Sequence, residues 1–307
     1  MASRVVKRLL EFALTLFLAS SAVFFMSRLA PSDPVEIILG ENATFEDRQS
    51  LRKELKLDLP LWKQYSDFAA SAIRLDPGNS LVTGRRVADE IKDAFPYTLK
   101  LGLAALLISM FAGGAAGLYA AKNEDRAGDA VFGLVSSVMM VSPSFLTGPI
   151  LLLAFAVLLP VFPVSGDGSA MSYFLPALVL AIPAASYFGR VLRVSLCEEK
   201  KKPYTALAKE KGVPEKEVYL AHLLPNSLIP FVQVAGLEFG ALLTGAIITE
   251  KIFRVPGLGS LLARSVFSRD YPLITALIIL FSSIYLAGNL AADLVSPAID
   301  PRVRDAD

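Results

Sequence analysis

The chain has 307 residues, is 54% hydrophobic and carries a net charge of +1, with a mean hydropathy of +0.52. That balance is too apolar for an ordinary soluble domain and too neutral for a nucleic-acid binder. A single cysteine, Cys197, excludes an internal disulfide framework and a multi-thiolate metal site; a single histidine, His222, excludes a histidine cluster for zinc, copper or haem.

In chain order, Arg4, Lys7 and Arg8 precede an apolar run from about Leu9 to Ala30. A run of this length spans a bilayer and exceeds the apolar core of a signal peptide, although Ala19–Ala22 offers small residues of the kind found at cleavage sites. It is read as a retained first span, residues 1–30. Residues 31–95 are polar and mixed in charge, with helical periodicity around 45–57 and 61–73. They form an extracytoplasmic insertion, either a small domain or a solvated linker with short helices; a segment this long is translocated despite its Lys and Arg.

Pro96 is expected to open a second span to about Ala121, in which Gly113, Gly114 and Gly117 permit close helix packing. A charged turn (122–129) leads to a third span, about 130–159, broken by Pro143 and Pro149. The fourth span, about 173–196, ends with Arg190 and Arg193, which are expected to snorkel to the interface. A fifth span covers about 231–249, a loop 251–272, and a sixth span about 273–299. Six spans place both termini on one side. Basic residues at the N-terminus, Lys200–Lys202, Arg302 and Arg304 make that side cytoplasmic. The fold class is therefore all-α and polytopic: a core of 96–299 with a polar loop at about 198–230, and a short tail at 300–307.

No phosphate-binding GxxxxGK[ST] loop occurs, and the lone histidine lies outside any catalytic constellation, so the chain is not read as an enzyme. The polar loop has punctuation of its own. Helix formers run from Tyr204 to Lys211, Gly212 sits where a helix ends with positive φ, and Pro214, Glu215 and Glu217 suit the start of another. The expected shape is a short helix, a glycine corner and a second helix turning toward the membrane at Pro225 and Pro230. From composition alone it is either a solvated surface segment or a docking lever.

Glu238 lies inside the fifth span between Gly236 and Gly240, with Gly245 beyond. These glycines serve either helix packing or a candidate translocation path. The acid is either a neutral or partnered structural group or a contact for a cationic substrate. Asn289 and Asp293 share one face of the sixth span and suggest an interhelical polar contact.

YTALAKEKG (Tyr204–Gly212), with His222, Asn226 and Pro230 downstream, resembles the EAA-type coupling loop of ATP-binding-cassette importer permeases, in its dipeptide/oligopeptide/nickel branch. Ala206, Leu207 and Ala208 stand at the EAA positions without the leading acid, and Lys211 and Gly212 keep the spacing. PSDPV (31–35), LDLPLWKQY (57–65), Glu250, PGLG (256–259), RDYP (269–272), Asn289, Asp293 and DPRVR (300–304) match in order. Glu238 stands where the family usually has Gln.

The resemblance implies a permease of the bacterial inner membrane. Its partners would be a second homologous permease, two cytoplasmic ATPase subunits carrying ATP and Mg, an extracytoplasmic solute-binding protein and membrane lipid, with no cofactor in this chain. The implied cargo is a peptide; nickel or another small solute is the alternative. A stand-alone secondary carrier using Glu238 is the reading from another class, against which stands the absence of a convincing internal repeat.

Overall fold

A computed structural model describes residues 2–29, 35, 39–40, 43–74, 76–164 and 169–299. Most of PSDPV, all of DPRVR with Arg302 and Arg304, and the side chain of Asp293 lie outside them. The helices are α1 (Ala2–Leu29), α2 (Phe45–Glu54), α3 (Leu61–Ile73), α4 (Val87–Lys122), α5 (Ala127–Met140), α6 (Ser144–Leu152), α7 (Phe174–Lys200), α8 (Pro203–Glu210), α9 (Glu215–Glu217), α10 (Leu224–Gly245), α11 (Ile247–Phe253), α12 (Leu258–Ser268) and α13 (Tyr271–Ile299). Among the described residues, five helical stretches are long and apolar enough to cross a membrane. α5 and α6 supply a sixth crossing if the pair, bent by 99°, is one broken span. The chain is thus a polytopic helical membrane protein.

The break between α5 and α6 falls at Val141–Pro143, where Pro143 caps α6 in extended conformation. A π-helical turn over Leu153–Leu158 follows Pro149. A proline removes one i→i−4 hydrogen bond and crowds the preceding carbonyl, so local rewinding there has an identifiable cause.

Pro96 does not open the second span. α4 begins at Val87 and runs through it. Val87, Glu90, Ala94, Thr98, Leu101 and Ala105 are all buried, at steps of three or four residues that continue across the proline. This stripe holds the helix in one piece where backbone propensity alone would start it at Pro96.

Two compact units emerge. The first comprises residues up to Thr98 together with Pro256–Ile284. Within it, Phe24 of α1 packs on Tyr65 and Phe68 of α3, with ring centroids 5.3 and 5.1 Å apart. Thr44 and Asp47 form a reciprocal capping box at the start of α2. The loop 78–86 is tied to the N-terminus of α13 by Asp270, which accepts from Ser80 Oγ and, at 3.2 Å, from the Leu81 amide. Glu90 accepts from Thr83 Oγ1 and pairs with Arg264 at 3.2 Å. The stretch 251–272, expected to be a loop, contains α12, whose Leu258 amide donates to Thr98 Oγ1 at 2.8 Å.

Asp270 is 2% exposed, so Asp270→Ala strands a buried hydroxyl and an amide. A loss of about 2–3 kcal/mol is expected, from the cost of unmet buried partners. Thermal unfolding in detergent measures it, with Asp270→Asn retaining part of the stability because its amide oxygen still accepts.

The second unit comprises Leu99–Val255 and the chain from Tyr285 onward. Its centre is the contact of α4 with α7. A Cβ at Gly113 would overlap the Ala185 carbonyl oxygen and sit 2.9 Å from Phe188 Cβ; one at Gly117 would meet the Gly189 backbone. Backbone approach this close is what the glycine spacing permits. Around it pack Leu101, Ala105, Ala177, Leu180, Ala184 and Leu242 at one level, and Phe188, Leu192, Leu196, Val218, Leu223 and Phe231 at another.

Arg190 and Arg193 do not reach outward as snorkelling residues. Arg193 makes two hydrogen bonds of 2.5 Å to the two oxygens of Asp129 on α5. Arg190 donates to Ser136 Oγ at 3.0 Å and Ser137 Oγ at 2.6 Å. Polar partners on the neighbouring helix satisfy guanidinium donors better than an extended route to water.

Candidate coupling loop and translocation face

Tyr204–Glu210 lies in α8, which ends as its sequence requires. Gly212 has φ +78°, a conformation that glycine adopts without the Cβ penalty. The Val213 amide reaches back to the Ala208 carbonyl at 3.2 Å, and Ala208 and Val213 pack together on the core around Leu196 and Val218. This is the Schellman arrangement of a terminating helix, with its accompanying hydrophobic contact. Pro214 then caps the next helix.

That next helix does not turn back at Pro225 or Pro230. Glu215–Gly245 is one helical run of 31 residues, containing a π-helical turn at Val218–Leu223 immediately before Pro225. The turn absorbs the hydrogen bond that Pro225 cannot make, and buried Val218, Tyr219 and Leu223 keep the run packed on α7. Loop and fifth span are therefore parts of a single continuous helical run.

The foot of this run is fastened by Glu199, 7% exposed at the end of α7. Its carboxylate accepts from Lys202 Nζ and Tyr204 Oη, and its carbonyl accepts from Thr205 Oγ1 at 2.9 Å. Asn226 Nδ2 donates to Tyr204 Oη at 3.3 Å and to the His222 carbonyl at 2.8 Å. Tyr204, His222 and Asn226, separate in the sequence, thus meet at one knot. Nearby, Lys200 Nζ donates to the Ala121 carbonyl and pairs with Glu124 at 3.3 Å, and Lys122 lies 5.4 Å from the Tyr219 ring centroid.

Burial and the hydrogen bond to the Glu199 carboxylate push the Tyr204 phenol above its usual 10.0. Its neutral form is favoured in the fold, so this contribution is complete below pH 10 and is lost as pH rises through the raised value. Stability scans from pH 8 to 11 should therefore show an alkaline loss in the wild type that is smaller in Tyr204→Phe. Desolvation pushes the Glu124 carboxyl up, but hydrogen bonds from Cys197 and Lys200 outweigh it and the net shift is downward.

Ala206, Lys211, Gly212 and His222 are exposed, as are Leu207 and Leu220, at 51% and 53%. Pro230 is half-buried within α10. The foot thus presents a mixed polar and apolar outer surface over a fixed inner face.

On α10, Gly236 and Gly240 approach α13. A Cβ at Gly288 would lie 3.1 Å from the Gly236 carbonyl oxygen and 3.6 Å from Gly240 Cα. Gly245 has open space about it. Glu238 is half-buried and shares a stripe with Val234 and Leu242, which touch the two apolar clusters. Among the described residues it has no hydrogen-bond or ion-pair partner. Asn289 is half-buried on α13. Among the described residues, no cluster of three or more His, Cys, Asp or Glu side chains is placed to hold a metal ion.

Sequence reasoning missed Glu199 as the fastening point and Asp129 as the partner of Arg193. The one available signal was that an ionisable group near a span end needs a partner; spacing gave no way to choose which.

Comparison with known proteins fits this architecture of a helical membrane permease. Residues 113–305 match the family described as binding-protein-dependent transport system inner membrane component, and residues 1–102 match the N-terminal family of such membrane components. The chain belongs to the binding-protein-dependent transport system inner membrane component family. It is 38% identical over 304 residues to the glutathione transport system permease protein GsiC of Escherichia coli K12 and to that of Shigella dysenteriae serotype 1, covering 99% of each chain. A crystal structure of an amino acid ABC transporter with histidines has a similar fold, at TM-score 0.51 and 19% identity, over 70% of this chain and 94% of that one.

Proposed function

We propose that this chain is one transmembrane subunit of an ATP-driven importer of short peptides, glutathione-like tripeptides included. The observation that carries the cargo class is the end-to-end similarity to glutathione permeases. A second homologous permease, two cytoplasmic ATPases holding ATP and Mg, and a solute-binding protein on the outer side complete the machine. Both termini and the α8–α9 corner face the cytoplasm, and residues 43–86 lie outside.

The α8–α9 corner is the coupling element. Ala206, Leu207, Lys211 and Gly212 meet an ATPase groove, while Glu199, Tyr204 and Asn226 fix the corner to the spans. A push on the corner is transmitted along α10 because the helix is continuous from Glu215. The continuity of the helix supports this reading: a flexible joint at Pro225 would dissipate the motion.

Glu238 is assigned to the translocation face of α10, where it meets the ammonium group of a peptide. Gly236, Gly240 and Gly245 keep that part of the helix narrow. Glu238→Gln is expected to leave assembly unchanged and to reduce uptake of peptides with a free amino terminus about tenfold, relative to N-acetylated ones, for loss of one charged contact. Uptake of radiolabelled peptide pairs into proteoliposomes reads this ratio, and an unchanged ratio removes the assignment.

A further inference from the structure

A cavity of about 610 Å³ lies within the first compact unit, between α1, α3, the start of α4 and α13. Its walls include Phe24, Phe68, Ala72, Ala276, Ile279 and Leu280. Along α13 the lining runs from Pro272 to Ser283, about 17 Å of helix. The volume is that of a small-molecule site, about 300–1,000 Å³.

Two polar groups in this lining are unmet. Thr275 is 9% exposed, and among the described residues its hydroxyl has no hydrogen-bond partner. A helical hydroxyl ordinarily returns to the carbonyl one turn back, as Ser283 does on α13, donating to Ile279 at 2.7 Å. Gln64 donates through Nε2 to the Leu57 and Leu59 carbonyls at 3.3 and 2.8 Å. That leaves its Oε1 a buried acceptor without a partner. Such groups are exceptions in a folded chain and call for a partner from outside it.

The charged residues of the lining are compensated. Lys56 lies 3.8 Å from Asp67, and Asp76 lies 4.0 Å from Arg86. The interior thus offers hydrocarbon walls and uncharged polar groups, and an ionised ligand would enter it without a counter-charge. Two of the walls, α1 and α13, carry the membrane-crossing stretches Leu9–Met26 and Tyr271–Leu290, so the bilayer adjoins them.

We propose that this cavity binds an uncharged single-chain amphiphile of the monoacylglycerol class. Its chain lies along Ala276, Ile279 and Leu280, and a hydroxyl of its head hydrogen-bonds Thr275 Oγ1. Thr275 stands nearer the start of α13, so the head lies toward the end of the span and the chain toward its middle. A hydroxyl head donates and accepts, and so meets a threonine in either sense. The proposal rests on the chain spanning a membrane and not on its cargo.

The test is photolabelling of the full chain, purified with the subunits it assembles with and held in phosphatidylcholine nanodiscs. The probe is a monoacylglycerol with a diazirine in its chain, and mass spectrometry locates the label. Labelling of α13 within 276–280 is expected, with unlabelled 1-monoolein competing at a concentration tenfold or more below that of oleate, whose charge the interior disfavours. Ala276→Phe, which fills the cavity, should abolish the label. Thr275→Val should weaken monoolein competition about fivefold for one lost neutral hydrogen bond, with the thermal midpoint unchanged. If Ala276→Phe fails to assemble, Thr275→Val reads the same site. Equal labelling and competition in the wild type and both variants overturns the site. So does a cavity that takes no label, whether water fills it or another subunit covers it. Equal competition by oleate overturns the assignment to an uncharged ligand.

Discussion

Gly117→Ala is expected to lower the stability of the folded chain sharply, although it adds a single methyl group. The added Cβ would lie 3.0 Å from the carbonyl carbon and from the Cα of Gly189, and closer still to its oxygen. All three are backbone atoms, so no side-chain rotation relieves the overlap, and α4 and α7 must separate. Overpacking of a tight core costs about 1–3 kcal/mol. This site belongs at the upper end, because separation also forfeits dispersion contacts along the two helices. Gly113→Ala should behave similarly. Gly133→Ala is the control: that glycine is helical with open space around it, so alanine is expected to be neutral or to stabilise by about 0.5–1 kcal/mol through backbone entropy. Thermal unfolding followed by size-exclusion retention in mild detergent separates the two. Equal midpoints for Gly117→Ala and Gly133→Ala would mean that α4 and α7 are not in backbone contact.

The second large effect is expected from Glu199→Ala. The substitution removes the acceptor shared by Lys202 and Tyr204 while leaving the apolar packing of α7 in place. Each lost charged hydrogen bond is worth about 1.5–3 kcal/mol when buried; Lys202, 40% exposed, contributes less through screening. The spans should stay assembled while the corner around Tyr204 loosens. Trypsin should cut at Lys200–Lys202 and Lys209–Lys211 several-fold faster. In the reconstituted assembly, ATP hydrolysis should no longer rise when loaded binding protein is added. Unchanged protease protection would show that Glu199 does not fasten the corner.

The glycine corner was legible because its chemistry is local. Helix formers, one glycine and one proline in order fix a helix end whatever surrounds it, and Gly212 has the positive φ this requires. The spans were legible because unbroken apolar length has few other uses. The starts of α4 and α10 were not, since both depend on tertiary stripes that carry a helix through Pro96 and Pro225 against local preference. The polar knots were the least visible. Arg193 finds Asp129 and Arg190 finds Ser136 only after α5 and α7 lie side by side. Glu199 has no distinctive neighbour in the sequence, and its role appears only when Tyr204 returns to it. Gly236 and Gly240, legible as small, acquire a packing partner, Gly288, that their own spacing does not name.

The most direct test of the importer reading is co-purification of the tagged full chain in mild detergent, wild type against Gly212→Val. A β-branched residue is strongly disfavoured at φ +78°, so the corner must refold, while the spans, which do not contact this position, remain. We expect the wild type to bring down an ATPase and a second polytopic permease in stoichiometric amounts, and the variant to keep the permease and lose the ATPase. Recovery of the wild-type chain alone, with uptake driven by a proton gradient and dependent on Glu238, would contradict it.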